Sequence, residues 1–292
     1  MATVARHDSP ELSWEMVTHD AHPRLRQHVR NYTGYVERTA KPLRRLEVPS
    51  ADVTLIVSPD TRLSLPDVRD SSRPATRLTS FVAALHDTYA LVDHDGFQHG
   101  IEVRLTPLGA HSLFGLPMDE LTNRVVGLDD LLGRGADELV GRLWDLPGWE
   151  PRFRLLDDLI GRRVEAGRPS SYELFWAWRR LRASGGKASV GGLARELGWS
   201  HRRLIARFKE QIGMPPKTVA RVLRFERVSG RLRQRAAPSL AELALECGYY
   251  DQAHLNRDFR DFAGTTPSAY IAARLPEGGG VKSVQDPGSA RA

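Results

Sequence analysis

Cysteine is almost missing from this chain. Its 292 residues include one, Cys247, so neither an intramolecular disulfide nor a cysteine-cluster zinc site can form. Long apolar runs are missing too, and no stretch approaches the roughly 18 consecutive apolar residues a membrane span needs. The opening MATVARHDSPELSWEM has no apolar core of the signal-peptide type. The expectation is a protein of the reducing cytoplasm with no membrane partner. Signatures of catalysis are also lacking. No glycine-rich phosphate loop stands between a strand and a helix, and no G-x-S-x-G elbow occurs. No enzyme, no cofactor and no catalytic residue is expected.

What is present is ordinary in bulk and uneven in placement. The chain is 41% hydrophobic and 27% charged, as soluble globular proteins are, and long enough for two domains. Residues 170–275 hold 19 Lys+Arg against 9 Asp+Glu, while residues 1–169 hold 21 against 25. A basic C-terminal third on an acidic remainder points to a polyanion-binding module joined to something else.

Residues 1–30 are polar and poorly periodic. Strands are expected at DVTLIV (52–57), SFVAAL (80–85), TYALV (88–92) and GIEVRL (100–105), with a hairpin turn at DHDG, 93–96. After Pro107 apolar residues recur three and four apart through SSYELFWAWRRLRAS, the period of helices. Trp176 and Trp178, two apart on such a helix, read as packing residues. SGG at 184–186 is a flexible break. The expected order is an N-terminal domain with trailing helices (1–169), a connecting helix and linker (170–186), a helical domain (187–275), and a disordered tail (276–292) with little to bury.

The helical domain says one thing twice. ELGWSHRRLIARFKEQIGMPP (196–216) is echoed by ECGYYDQAHLNRDFRDFAGTTP (246–267). In the first copy Leu193, Ala194 and Leu197 precede Gly198, which accepts the left-handed backbone of a tight corner. Ser200 can cap the next helix, where Leu204 and Phe208, four apart, face inward together. In the second copy Gly248 makes the corner, Asp251 caps, and Leu255 and Phe259 face inward. Outward stripes follow: Arg202, Ile205, Ala206 and Lys209 in one copy, Gln252, Ala253, Asn256, Arg257 and Arg260 in the other. Between the copies a helix over Thr218–Arg235 offers Val219, Leu223, Phe225, Val228 and Leu232 for burial. Two helix-turn-helix units on a helical spacer form a DNA-reading device.

These residues resemble the AraC/XylS transcription regulators over about 187–272, down to the closing Gly264, Pro267 and Tyr270. The resemblance implies two recognition helices in the major groove of double-stranded DNA. In the first, Arg202, Ile205 and Ala206 take base-facing places, with Lys209 nearer the phosphates; in the second, Gln252, Ala253, His254, Asn256 and Arg257 read bases. Arg221, Arg224 and Arg227 on the spacer, and Arg260, are candidate phosphate contacts, although a spacer arginine could equally be solvated or salt-bridged. Cys247 reads as a packing residue.

The N-terminal strands and helices resemble the effector or dimerisation domains joined to this pair, often cupin-like β-barrels. VRLTPLGAHSLFGLPMDELTNRVVGLDDLLG resembles the strand-to-helix passage of one group of them. The expected fold is therefore α+β, a β-rich domain with trailing helices followed by an all-α double helix-turn-helix. Its implied partners are DNA, a small-molecule effector of unknown identity, RNA polymerase in an activator's role, and a second copy of the chain. Leu139, Leu143, Leu155, Leu156 and Leu159 are candidate dimer contacts, with core packing the commoner fate. His94, His99 and Glu102 do not match the His-x-His spacing of cupin metal sites, so two exposed histidines flanking a turn, and no metal, are expected. The alternative function is a constitutive DNA binder with a purely structural or protein-binding N-terminal domain. Alkyl-repair regulators carrying the same DNA-binding pair need N-terminal reactive cysteines, which this chain lacks.

Overall fold

The computed structural model describes residues 2–70, 72–167, 170–233, 238–274 and 281. Eleven strands come first: β1 Thr3–Asp8, β2 Leu12–Asp20, β3 Val29–Thr39, β4 Leu43–Glu47, β5 Val53–Val57, β6 Leu63–Leu65, β7 Thr76–Leu78, β8 Phe81–Ala83, β9 Ala90–His94, β10 Phe97–Leu105 and, after the first helix, β11 Val125–Gly127. They form a seven-stranded sheet, β1-β2-β3-β10-β5-β8-β11, and a four-stranded sheet, β4-β9-β6-β7. Every pair within them is antiparallel.

Three expectations fail here. The polar opening of the chain is not irregular, because β1 and β2 form a hairpin from Thr3↔Thr18 to Asp8↔Ser13. β1 buries no residue and lies at the sheet edge, so no apolar alternation marks it. DHDG does not close a hairpin either. β9 pairs with β4 and β6 while β10 pairs with β3 and β5, so this turn carries the chain from one sheet to the other. Nor are its histidines both exposed: His94 is buried, with Nε2 3.3 Å from Oε1 of Glu37. His99 Nε2 lies 3.1 Å from Asp60. Among the described residues no group of three or more His, Cys, Asp or Glu could hold a metal ion.

Helices α1 Pro107–Phe114, α2 Leu128–Leu132, α3 Gly135–Trp144, α4 Trp149–Ala166 and α5 Tyr172–Ala183 follow the sheets. Thr106 caps α1, accepting from the Gly109 N–H, and Pro107 supplies the preset first turn. α4 packs on the large sheet at Gly34, where a β-carbon would fall 2.3 Å from the Trp149 ring. Asp157 of α4 accepts from the Tyr32 hydroxyl and the His22 N–H, both at 2.9 Å. Leu143 and Leu156 are core residues, while Leu139, Leu155 and Leu159 keep partial exposure.

The second half is helical: α6 Val190–Glu196, α7 His201–Ile212, α8 Pro216–Leu232, α9 Leu240–Cys247, α10 Gln252–Ala263 and α11 Pro267–Ala272. α8 begins two residues before the expected helix; Arg235 lies outside the described residues. The SGG segment is not a loose tether. Gly185 and Gly186 have φ of +60° and +78°, the Gly186 N–H donates to Leu181, and a β-carbon on Gly186 would sit 2.2 Å from the Ala220 carbonyl oxygen. One buried apolar cluster runs from Val17 through Leu174, Trp178 and Leu181 of α5 to Tyr270. The tail expected to be disordered lies outside the described residues apart from Val281, which is buried, bridges Arg274 and accepts from the Leu46 N–H.

Candidate nucleic-acid interface and the cavity behind it

The two copies of the repeat fold by the same local rules. Leu193 and Ala194 in α6, like Leu243 and Ala244 in α9, are buried. Gly198 and Gly248 turn the corner at φ +64° and +85°. The N–H of Trp199 donates to Ala194 and that of Tyr249 to Ala244, both at 2.9 Å. Ser200 then accepts from the Arg203 N–H and Asp251 from the His254 N–H, capping α7 and α10. The second turn carries one extra residue, Tyr250, which is 85% exposed. Asp251→Ala should cost about 1 kcal/mol of stability through loss of this cap, measurable by denaturant titration; an unchanged midpoint would mean that α10 starts elsewhere.

Both caps serve helices with one wet face. In α7, Leu204, Phe208 and Ile212 are fully buried, while Arg202, Arg203, Ile205, Ala206 and Lys209 are exposed. In α10, Leu255, Phe259 and Phe262 are buried, while Gln252, Ala253, Arg257 and Arg260 are exposed. Arg202, Lys209, Arg257 and Arg260 form no ion pair among the described residues, whereas the Arg203 guanidinium lies 4.5 Å from the Trp199 ring centre. Two expected readers are less free. His254 is half-buried, its ring edge-on to Tyr249 at 5.1 Å. Asn256 is also half-buried, with its Oδ1 buried and unbonded, so its amide must turn before it can meet a base edge.

The spacer arginines divide. Arg221 is not a free phosphate contact. Its guanidinium donates to Asp258 at 2.6 and 3.1 Å and to Asp261 at 2.7 Å, and lies over the Phe262 ring. Those carboxylates use the donors that phosphate would need, so Arg221 staples α10 to α8. Arg224 likewise turns inward, donating to the Gly186 carbonyl at 3.1 Å over the Tyr249 ring. Arg227 remains exposed. Cys247 is buried, and burial pushes its thiol up in pKa, as packing rather than chemistry requires.

The sheets touch the ends of both wet helices. α7 ends at Gly213, φ +103°, whose carbonyl accepts from the Thr122 hydroxyl at 2.7 Å. α10 ends at Gly264, φ +63°, where a β-carbon would lie 2.5 Å from the Tyr89 ring. These two contact segments are themselves joined: the Asn123 N–H donates to Leu85, and its Oδ1 accepts from the Asp87 N–H, both at 2.9 Å. A third tie is ionic. Asp52, its side chain 2% exposed, accepts from Arg182 of α5 at 3.0 and 3.2 Å, from Arg104 at 3.1 Å and from Arg30 at 3.4 Å.

Asp52 also lines a cavity of about 260 Å³ between the two sheets. Its wall joins apolar Ile56, Leu63 and Phe81 to polar Tyr35, Glu47 and Glu102. Burial opposes ionisation of Glu37 there, but the His94 ring 3.3 Å away and Arg45 outweigh it and hold that carboxyl below its ordinary range. Of the residues lining this cavity the sequence singled out only Glu102, weighed as a metal ligand and set aside. The available signal was polar side chains on one face of strand-like segments, Arg45 with Glu47 two apart and Gln98 with Glu102 four apart, which polar surface strands share.

A family model described as a helix-turn-helix domain matches residues 193–273. No curated protein matches the chain. Among solved structures, ToxT from Vibrio cholerae O395 is 9% identical, with a TM-score of 0.46 over 90% of this chain and 98% of that one. The C-terminal domain of AraT, a response regulator from Geobacillus stearothermophilus, is 18% identical, with a TM-score of 0.34 over 42% of this chain and 98% of its own. CdpR of Pseudomonas aeruginosa, a transcriptional regulator, is also 18% identical, with a TM-score of 0.32 over 60% of this chain and 46% of its own. No described helix is long and apolar enough to cross a membrane. Two capped helix-turn-helix units on one buried spacer, preceded by a β-rich half, lie almost wholly within the matched span, so residues 193–273 are a helix-turn-helix domain.

Proposed function

We propose that α7 and α10 read two unlike boxes of one DNA site, under the control of a small molecule held between the sheets. The observation that carries this reading is the pair of exposed, unpaired stripes on helices fixed to a common spacer. α8 has 17 residues, about 26 Å at 1.5 Å per residue. With the width of the flanking units, that length suits recognition helices one DNA turn apart, roughly 34 Å. Arg202 suits guanine, and Ile205 and Ala206 suit thymine methyls. Gln252, Ala253, Asn256 and Arg257 make the second box the more polar reading, with His254 at its edge. Lys209, Arg227 and Arg260 are the phosphate contacts in this proposal. RNA polymerase is the downstream partner of an activator built this way, and the half-exposed Leu139, Leu155 and Leu159 are where two copies would meet. The cytoplasm is its compartment.

Footprinting followed by a base-by-base affinity scan tests the assignment. Arg257→Ala should relax preference at one or two positions of a single box, by about 1–3 kcal/mol. A loss equal at every sequence would make Arg257 a phosphate contact. Arg227→Ala should instead weaken all sequences alike and flatten the salt dependence.

A further inference from the structure

Positive charge gathers at α5, outside both helix-turn-helix units. A surface cleft of about 280 Å³ opens where α5 meets the stretch entering β3. Arg26, Gln27 and Arg30 line it from that stretch, and Phe175, Trp178 and Arg179 from α5. Thr106 also borders it, but its hydroxyl is spent, donating to the Gln27 carbonyl at 2.8 Å and accepting from the Gly109 N–H at 2.9 Å. Among the described residues every ionisable group on the wall is a guanidinium. Two of the neighbouring guanidiniums are set on rings: Arg179 lies 5.6 Å from the centre of Phe175, and Arg182 5.8 Å from that of Trp178. Stacking holds a guanidinium by its face and leaves the N–H fork on its edge free for an anion.

The charges around the cleft do not balance. Arg30 shares Asp52, at 3.4 Å, with Arg104 and Arg182 at 3.1 and 3.0 Å. The other carboxylates that reach this group are Glu102 and Glu226, at 3.7 to 3.9 Å. With Arg26 and Arg179, five guanidiniums face three carboxylates. The side-chain carboxylates outside the described residues, Glu277 and Asp286, are outnumbered there by Arg168, Arg235, Lys282 and Arg291. Burial, and after it the neighbouring Arg182, pulls the Arg30 guanidinium below its ordinary range in spite of Asp52 and Glu226.

A neutral ligand would leave both excess charges unanswered, and a carboxylate would leave one. A phosphate monoester carries close to two negative charges at neutral pH and three acceptor oxygens, which arginine forks meet in pairs. The bare ion would leave the Phe175 face unused, whereas an aromatic body stacks there. The volume, just under the common range for ligand sites, suits a single ring. The geometry points to a second ligand site in this cleft, for an aromatic phosphate monoester, its phosphate among Arg26, Arg30 and Arg179 and its ring against Phe175. The site is separate from the cavity between the sheets and does not rest on it. A phosphate held there joins α5 to the start of β3, across the same joint that Asp52 makes with Arg182.

Isothermal titration of the full chain with phenyl phosphate, benzoate and inorganic phosphate tests this. Phenyl phosphate should bind at least about tenfold more tightly than either of the others, and added salt should weaken it. Arg26→Gln and Arg179→Gln should each weaken it about tenfold and leave benzoate little changed; thermal melting confirms that the variants fold. Benzoate binding as well would overturn the dianion assignment. Inorganic phosphate binding as well would overturn the aromatic wall. Failure to bind phenyl phosphate, or indifference to both substitutions, would overturn the site. A duplex arm separates the two sources of phosphate esters. If duplex DNA displaces phenyl phosphate and Arg179→Gln weakens the duplex by the same factor, the cleft holds the DNA backbone and the small-molecule site falls.

Discussion

Phe225→Ala is expected to cost about 3–5 kcal/mol, the range for removing a buried phenyl ring and leaving its cavity. Phe225 is fully buried in α8, 5.0 Å between ring centres from Phe259 and 5.2 Å from Phe262. It is the point where the spacer grips α10. Little can collapse into the gap, because Arg221 pins α10 to α8 through Asp258 and Asp261 on the same side. The melting temperature should fall on the order of 10 °C, and DNA binding should be lost with it. Ile205→Ala is the control. That side chain is 37% exposed, so its stability effect should stay within about 0.5 kcal/mol. A Phe225→Ala protein with an unchanged denaturation midpoint would remove the aromatic joint from the account of how the two units hold together.

Asp52→Ala should cost about 3 kcal/mol, the low end for breaking a buried ion pair. The carboxylate is buried and its loss leaves three guanidiniums facing one another. Their side chains are 25% and 34% exposed, so water screens part of the repulsion and the upper end is not reached. Arg182→Ala should cost less, since Arg30 and Arg104 still neutralise Asp52. Denaturant titration of both variants beside the parent gives the comparison. Equal losses would mean that α5 owes its position to the Trp178 packing and not to the ion cluster.

Legibility in the sequence followed repetition and period. The double helix-turn-helix was readable because its corner glycines, caps and inward Leu and Phe recur at a fixed spacing, and each position has one physical job. The strands at 52–57 and 100–105 were readable because Val, Ile and Leu recur through them; the start of β10 at Phe97 was not, since Gln98, His99 and Gly100 carry no such signal. β1 to β3 were not, since an edge strand with no buried residue has no pattern, and β3 buries Glu37, a residue that composition assigns to water. The route of DHDG between sheets was hidden for another reason. A tight turn fixes local backbone direction, while the partner of the next strand is decided by distant residues such as Glu37 opposite His94. Arg221 and Arg224 were ambiguous for the same cause: an outward-looking arginine on a spacer helix has no address until α10 and the Gly186 turn are packed beside it.

The two left-handed glycines that end α7 and α10 have a mechanical consequence. Each of these helices is held at its trailing end by the sheet half, at Thr122 for one and Tyr89 for the other, and those two holds are joined through Asn123. They behave as one yoke. Ala84, His86, Thr88 and Val125, beside or within the yoke, also line the cavity. Movement started there should turn both helices together, with their separation still set by α8. Control by a ligand should then shift the helical phase or the bend of the whole site, and the two boxes should tighten or slacken in step.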